Sequence, residues 1–264
     1  MRLLAYKDDQ FSFTKDIVVK DEVPPYAILS HTWRDGEEVT FDEMVNCAAT
    51  NKSGYEKIRF CARQARRNNL DYYWVDTCCI NKTDPVELQD AINSMFRWYR
   101  DAVRCYVYLQ DVVSGSDWEP AFRKSRWFTR GWTLQELLAP NCVEFFTRDG
   151  ELIGDKRTLE RQIHEITGIP LAALRSTPMS EFSVEDRLSW GKNRQTTRPE
   201  DKVYSLLGFF GIYMPMIYGE TEEHALWRLK TEIVQRQVMQ QHALLLTGGA
   251  HSRPVKDSKD TVHG

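Results

Sequence analysis

The 264-residue chain carries 35 Lys plus Arg against 38 Asp plus Glu, enough length for one large α/β domain with a helical extension and no basic field for nucleic acid or anionic lipid. No apolar run approaches the roughly 20 residues of a membrane-spanning helix. Met1 to Gln10 hold no signal-like stretch, so the composition predicts a soluble, cytoplasmic protein.

In chain order, residues 26–30 (Tyr-Ala-Ile-Leu-Ser) read as a first strand, short, apolar and ending in polar residues. Residues 55–68 follow as a helix, with Ile58, Cys61, Ala62 and Ala65 at helical spacing. Residues 72–76 are a second strand, 86–99 a second helix with Leu88, Ile92, Met95, Phe96 and Tyr99 on one stripe, and 104–109 a third strand. This alternation implies a parallel sheet with right-handed crossovers. A weaker strand covers 142–146. Beyond about residue 151 the signals are helical: Thr158 before 159–166 with Gly168 as stop, Ser183 before an acidic first turn, Pro199 opening 202–210, and Thr221 capping 222–237. The division expected is an α/β portion at 1–150 and a helical portion at 151–240, with residues 247–264 disordered for want of apolar periodicity.

The six cysteines (Cys47, Cys61, Cys78, Cys79, Cys105, Cys142) fit neither a metal knuckle nor a usual disulfide, and no metal site is expected. Reduced, mostly buried thiols are the reading; Cys78 follows a predicted strand as a nucleophile would, but no sequence feature supplies it with a partner base. No GxGxxG, P-loop, HExxH or GxSxG pattern occurs.

An open parallel sheet binds ligands outside the carboxyl ends of its strands. That rule selects Ser30, His31, Thr32 and Trp33 after the first strand, Asp76, Thr77 and Cys78 after the second, and Asp111 after the third. Trp33 suits stacking on a planar ring, and Ser30 or Thr32 suits a bond to ribose or phosphate. Each also has a structural alternative: Ser30 and Asp76 as caps, Trp33 as core filling, His31 as a satisfied donor rather than a base. Arg198 and Asp201 read as a buried pair docking the helical half.

The stretch Ser125-Arg126-Trp127-Phe128-Thr129-Arg130-Gly131-Trp132-Thr133-Leu134-Gln135-Glu136-Leu137-Leu138-Ala139-Pro140 crowds two tryptophans and two arginines around one glutamate. A helix from Gly131 to Pro140 sets Trp132 and Glu136 on one face. Either the Glu136 carboxylate is used there, or the helix serves the core while Glu136 pairs with Arg130.

The runs Pro25 to Trp33, Trp74 to Lys82, Ala91 to Met95 and Arg130 to Leu137 resemble the fungal HET (heterokaryon incompatibility) domain over most of residues 1–240. The spacing is most similar to the vegetative incompatibility type, in which the domain precedes a nucleotide-binding oligomerisation module and a repeat array. The resemblance implies a cell-death effector, self-association, and a partner of the nucleotide-binding oligomerisation kind, since this sequence stops at Gly264. HET domains are in turn distantly similar to TIR domains, and Trp132-Thr133-Leu134-Gln135-Glu136-Leu137 resembles the TIR segment Trp-Cys-x-x-Glu-Leu. That likeness implies a TIR- or flavodoxin-like parallel sheet flanked by helices, and NAD as a substrate rather than a cofactor. It also implies Glu136 as the catalytic carboxylate, with Trp33 or Trp132 holding the nicotinamide. The alternative reading is a non-enzymatic signalling module that recruits copies of itself or a partner.

Overall fold

The computed structural model describes residues 1–7, 10–17, 22–48, 51–115 and 117–248. Its strands are β1 (Leu4–Lys7), β2 (Gln10–Phe13), β3 (Tyr26–His31), β4 (Tyr72–Trp74), β5 (Arg104–Leu109), β6 (Val143–Thr147) and β7 (Leu152–Asp155). They form one sheet in the order β2-β1-β4-β3-β5-β6-β7.

The four central strands, β4-β3-β5-β6, are parallel, as the alternation of strand and helix signals implies. In chain order this is second-first-third-fourth, so the sheet reverses its direction of growth between β3 and β5. The sheet is nevertheless mixed, which corrects the expectation of a purely parallel one: β1 runs antiparallel to β2 and β4, and β7 antiparallel to β6. Parallel neighbours need a crossover of about a dozen residues. Only residues 8–9 separate β1 from β2, and only 148–151 separate β6 from β7, so those pairs are antiparallel by necessity.

Side chains alternate across the sheet. On β3, Tyr26, Ile28 and Ser30 face one side, and Ala27, Leu29 and His31 the other. A short helix α1 (Phe41–Val45) precedes α2 (Ser53–Arg67). The buried stripe of α2 includes Ile58, Cys61, Ala62 and Ala65 and packs on the His31 side, where Phe60 meets the rings of Tyr108 and Phe146. Helix α3 (Pro85–Asp101) starts where Asp84 caps the backbone N–H groups of Val86 and Glu87, with proline in its first turn. It covers the Ser30 side, edge-on to Trp74 through Trp98 and Tyr99.

After β5 come α4 (Glu119–Arg123), a 3-10 turn at Arg126–Thr129 and α5 (Thr133–Leu138), with a second 3-10 turn later at Met179–Glu181. The helical half comprises α6 (Glu160–Thr167), α7 (Leu171–Leu174), α8 (Val184–Ser189), α9 (Asp201–Tyr204), α10 (Leu207–Phe210) and α11 (Glu222–Gly248). Its punctuation follows the sequence: Gly168 ends α6 in the left-handed region, and Ser183 with Asp186 closes a capping box on α8. The helix expected over 202–210 is broken into α9 and α10. Ser205 turns its hydroxyl back to the Lys202 carbonyl, and Gly208 presses so closely on Phe96 of α3 that no side chain fits between them. Of the disordered tail expected at 247–264, Thr247 and Gly248 close α11 and the remainder lies outside the described residues.

Candidate functional site

Every residue of α5 is buried, including Thr133, Gln135 and Glu136. A helix apolar on one stripe would leave its polar residues to water; here the sheet lies beneath and the segment 194–205 above. The Gly131 N–H donates to the Gln195 carbonyl (2.9 Å), and the Gln195 N–H to the Thr129 carbonyl (2.7 Å). Gln135 Nε2 reaches the Ser205 carbonyl (2.9 Å). A side chain at position 131 would collide with Thr196 Cγ2, so glycine is what allows this approach.

Glu136 is only 5% exposed. Ser30, from the end of β3, donates its hydroxyl proton to Glu136 Oε2, and Trp127 Nε1 donates to Ser30 Oγ at 2.7 Å. Tyr99 gives its proton to the Leu29 carbonyl (3.0 Å) and turns the same oxygen toward the carboxyl. Burial, and then the negative charge of Asp76, push the Glu136 pKa up to about 8, against the opposing pull of Ser30, Tyr99 and Arg194. At neutral pH the group is therefore a carboxylic acid.

Arg194 is the cation whose charge acts on this acid. Its Nη1 bonds the Arg130 carbonyl and Thr133 Oγ1, both at 2.8 Å, while Nη2 is buried without a hydrogen-bond partner. Burial pulls its pKa down to about 10, with Glu136 opposing. Arg130, the partner weighed from sequence, instead bonds Thr197 Oγ1 (3.3 Å). Trp132 precedes α5 as its N-cap and directs its indole to the Asp201 carboxylate rather than to Glu136. The indole that joins the Glu136 network is Trp127.

His31, adjacent to Ser30, belongs to a different cluster on the α2 side. Its Nε2 lies 3.4 Å from Glu38 and 4.0 Å from Asp76, and neither ring nitrogen makes a hydrogen bond. Buried Lys57 donates to the Thr32 carbonyl (3.0 Å) and to Glu38. Burial raises the Glu38 pKa, but His31 and Lys57 outweigh it and bring the carboxyl to about 2. At the surface, Trp33 donates Nε1 to Asp76 Oδ2 (3.0 Å), and the Lys82 ammonium stands 3.5 Å from the Trp33 ring centre.

Asp76 is thus the common member: it bonds Trp33, lies near His31 and adds its charge to the field at Glu136. It links Trp33 to Glu136 by a hydrogen bond on one side and by its charge on the other. Thr77 is buried, and Cys78 points its sulfur at the Val75 carbonyl with its thiol pKa raised well above normal by burial, so it presents no thiolate. Asp111 caps the 3-10 turn through Ser125 Oγ and the Arg126 N–H, both at 2.7 Å. Arg198 and Asp201 make no ion pair among the described residues; Arg198 lies over the Tyr218 ring, and Asp201 accepts from the Tyr218 hydroxyl.

Among the described residues no group of three or more His, Cys, Asp or Glu is placed to hold a metal ion, and no helix is long and apolar enough to cross a membrane. A shallow groove of 210 Å³ lies apart from these clusters, between the end of α10 and α11, lined by residues that include Tyr213, Arg236 and Met239.

The family model described as heterokaryon incompatibility protein (HET) matches residues 26–121, from the start of β3 into α4. That segment holds His31, Trp33, Asp76 and Lys82 and ends short of Trp127 and Glu136. The vegetative incompatibility protein HET-E-1 of Podospora anserina is 55% identical over 242 residues, a stretch covering 88% of this chain and 18% of that protein. No solved structure matches the chain. With the motifs in place on the fold and this identity running across both the sheet and the helical half, the chain belongs to the fungal HET family.

Proposed function

We propose that the chain is a cell-death effector domain of fungal heterokaryon incompatibility that cleaves NAD between nicotinamide and ribose, with Glu136 as its carboxylate. The observation that carries this reading is a buried carboxyl that accepts from Ser30 at the carboxyl end of β3, beside the strand-order reversal between β3 and β5. A purely structural helix gains little there, since an apolar side chain of the same size would fill the space without the cost of desolvating a carboxyl. The likeness of Trp132 to Leu137 to the TIR segment supports the same assignment.

Cleavage passes through an oxocarbenium-like ribose, which a carboxylate stabilises by charge. The pyridinium nitrogen takes the bonding pair and leaves as neutral nicotinamide, so no general acid is required. Water then adds to the ribose carbon and releases a proton. A cationic substrate placed beside Glu136 favours its ionised form, which couples substrate binding to loss of the carboxyl proton. Access requires α5 and the segment 194–205 to part, and self-association, or a nucleotide-binding oligomerisation partner, is the proposed trigger.

The sealed carboxyl favours one second reading, a non-enzymatic module that signals by self-association. Trp227, Val234, Val238 and Met239, exposed along α11, suit such a role. The test is to incubate concentrated, self-associating protein with NAD and quantify nicotinamide. Release is expected, falling by about 100-fold or more in a folded Glu136→Gln variant. If that variant kills cells as the parent does while NAD stays level, the signalling reading replaces the enzyme.

A further inference from the structure

We propose that Lys82 is a built-in occupant of a ring-binding face on Trp33, displaced by a planar organic cation, so that this subsite selects a charged pyridinium over its uncharged counterpart. The inference rests on reading the site as one for NAD, and it adds a residue that discriminates by the charge of the ring.

Three observations lead to it. Trp33 is 47% exposed, yet its orientation is fixed, because Asp76 Oδ2 holds its Nε1 at 3.0 Å. A hydrogen bond to a carboxylate along the indole edge enriches the ring face in electron density and so strengthens its attraction for cations. Lys82 already uses that face, its ammonium 3.5 Å from the ring centre.

The third observation concerns what Lys82 forgoes. Among the described residues its ammonium makes neither an ion pair nor a hydrogen bond, although the Asp76 charge acts on it. Lys57, by contrast, satisfies its donors on Thr32 and Glu38. An ammonium is strongly hydrated and carries three N–H donors; over an indole, with no protein acceptor, it is a weakly held occupant. An N-alkylated pyridinium has no donors to leave unsatisfied and adds the dispersion of a second flat ring. Its arrival also returns the Lys82 ammonium to water. A neutral ring gains the stacking but no charge attraction, and must still move Lys82 aside. Asp76 bonds Trp33 and acts electrostatically on Glu136, so the ring face on Trp33 and the carboxyl proposed to act on the ribose share one carboxylate neighbour.

The experiment titrates the purified chain with 1-methylnicotinamide, with uncharged nicotinamide and with tetramethylammonium, following tryptophan fluorescence and calorimetry. The parent, Lys82→Ala, Trp33→Leu and Glu136→Gln are compared, with thermal unfolding as the control for folding. Lys82→Ala should tighten 1-methylnicotinamide binding by about three- to tenfold and leave nicotinamide within about twofold. Trp33→Leu should abolish the preference, and Glu136→Gln should retain it. Unchanged or weakened cation binding in folded Lys82→Ala overturns the proposal, as does equal affinity for the charged and uncharged rings or for tetramethylammonium. If the cation preference holds while no NAD is cleaved, the catalytic reading fails and this one stands. If NAD is cleaved without the preference, the reverse is true.

Discussion

Ser30 and His31 are consecutive on β3 and serve opposite sides of the sheet: the Ser30 hydroxyl donates to Glu136 beneath α5, while the His31 ring lies 3.4 Å from Glu38 beside α2. The carboxyl end of one strand thereby supports two polar clusters of opposite character. One is built around a neutral acid, with a pKa of about 8, and the other around an ionised one, with a pKa of about 2. Asp76 stands at the sheet edge between them.

The neutral state of Glu136 sets a pH dependence of stability. Below the ordinary value of 4.5 the carboxyl is protonated whether the chain is folded or not. Between 4.5 and about 8 the unfolded chain has released a proton that the folded chain still holds, so this group's contribution to stability falls as pH rises. Glu38 acts below that window, and Lys156, lowered by burial to about 8, acts above it. Denaturant unfolding across the window should show Glu136→Gln gaining on the parent as pH rises. A constant difference between the two proteins would contradict the assignment.

Gly131→Ala should destabilise the chain by about 1–3 kcal/mol, because the added methyl of a buried residue would collide with Thr196 Cγ2. Thr196→Ser removes that methyl and should restore most of the loss in the double variant. Additive costs in a double-mutant cycle would show that the clash is not the cause.

Alkylation should divide the cysteines by exposure. Cys47 is exposed and Cys142 partly so, whereas Cys61, Cys78, Cys79 and Cys105 are buried. Burial raises the Cys61, Cys78 and Cys105 thiols well above their usual range. Mass spectrometry after brief maleimide treatment of the native chain should find Cys47 modified first and those four only after denaturation. Early labelling of Cys78 would mean that the end of β4 opens in the native state.

Glu38→Ala should cost about 3–5 kcal/mol by leaving the buried Lys57 ammonium without its carboxylate. Replacing both groups together, as Glu38→Leu with Lys57→Met, should cost less than the single change. Equal losses in chemical denaturation would mean that the pair is held for its packing alone.

The sequence made the central sheet legible because β3, β4 and β5 are apolar, buried and separated by helices with clear stripes. The four-residue strands β1, β2 and β7 mix apolar and polar residues too briefly for a period to register. The place of Ser30 at a strand end followed from topology and Glu136 stood out in its crowded motif, but Ser30 and His31, selected together after the first strand, fall on opposite faces because side chains alternate along a strand. The pairing expected of Trp132 with Glu136 rested on helical spacing alone, with both side chains on one face. Because α5 is enclosed on all sides, the neighbours of Glu136 are Trp127, Tyr99 and Arg194, brought in by folding. Trp127 stood within the motif that drew attention to Glu136; Arg194, from the far half of the chain, left no local trace.

The two outermost strands bear on how copies of this domain can meet. β2 and β7 are each four residues long, and along β2 exposed residues alternate with half-buried ones. A neighbouring molecule adding a strand to either margin would find a ladder too short to hold two chains together. Growth into a cross-β stack is therefore disfavoured at both margins of the native sheet. If copies assemble while folded, they are expected to meet through helices and loops.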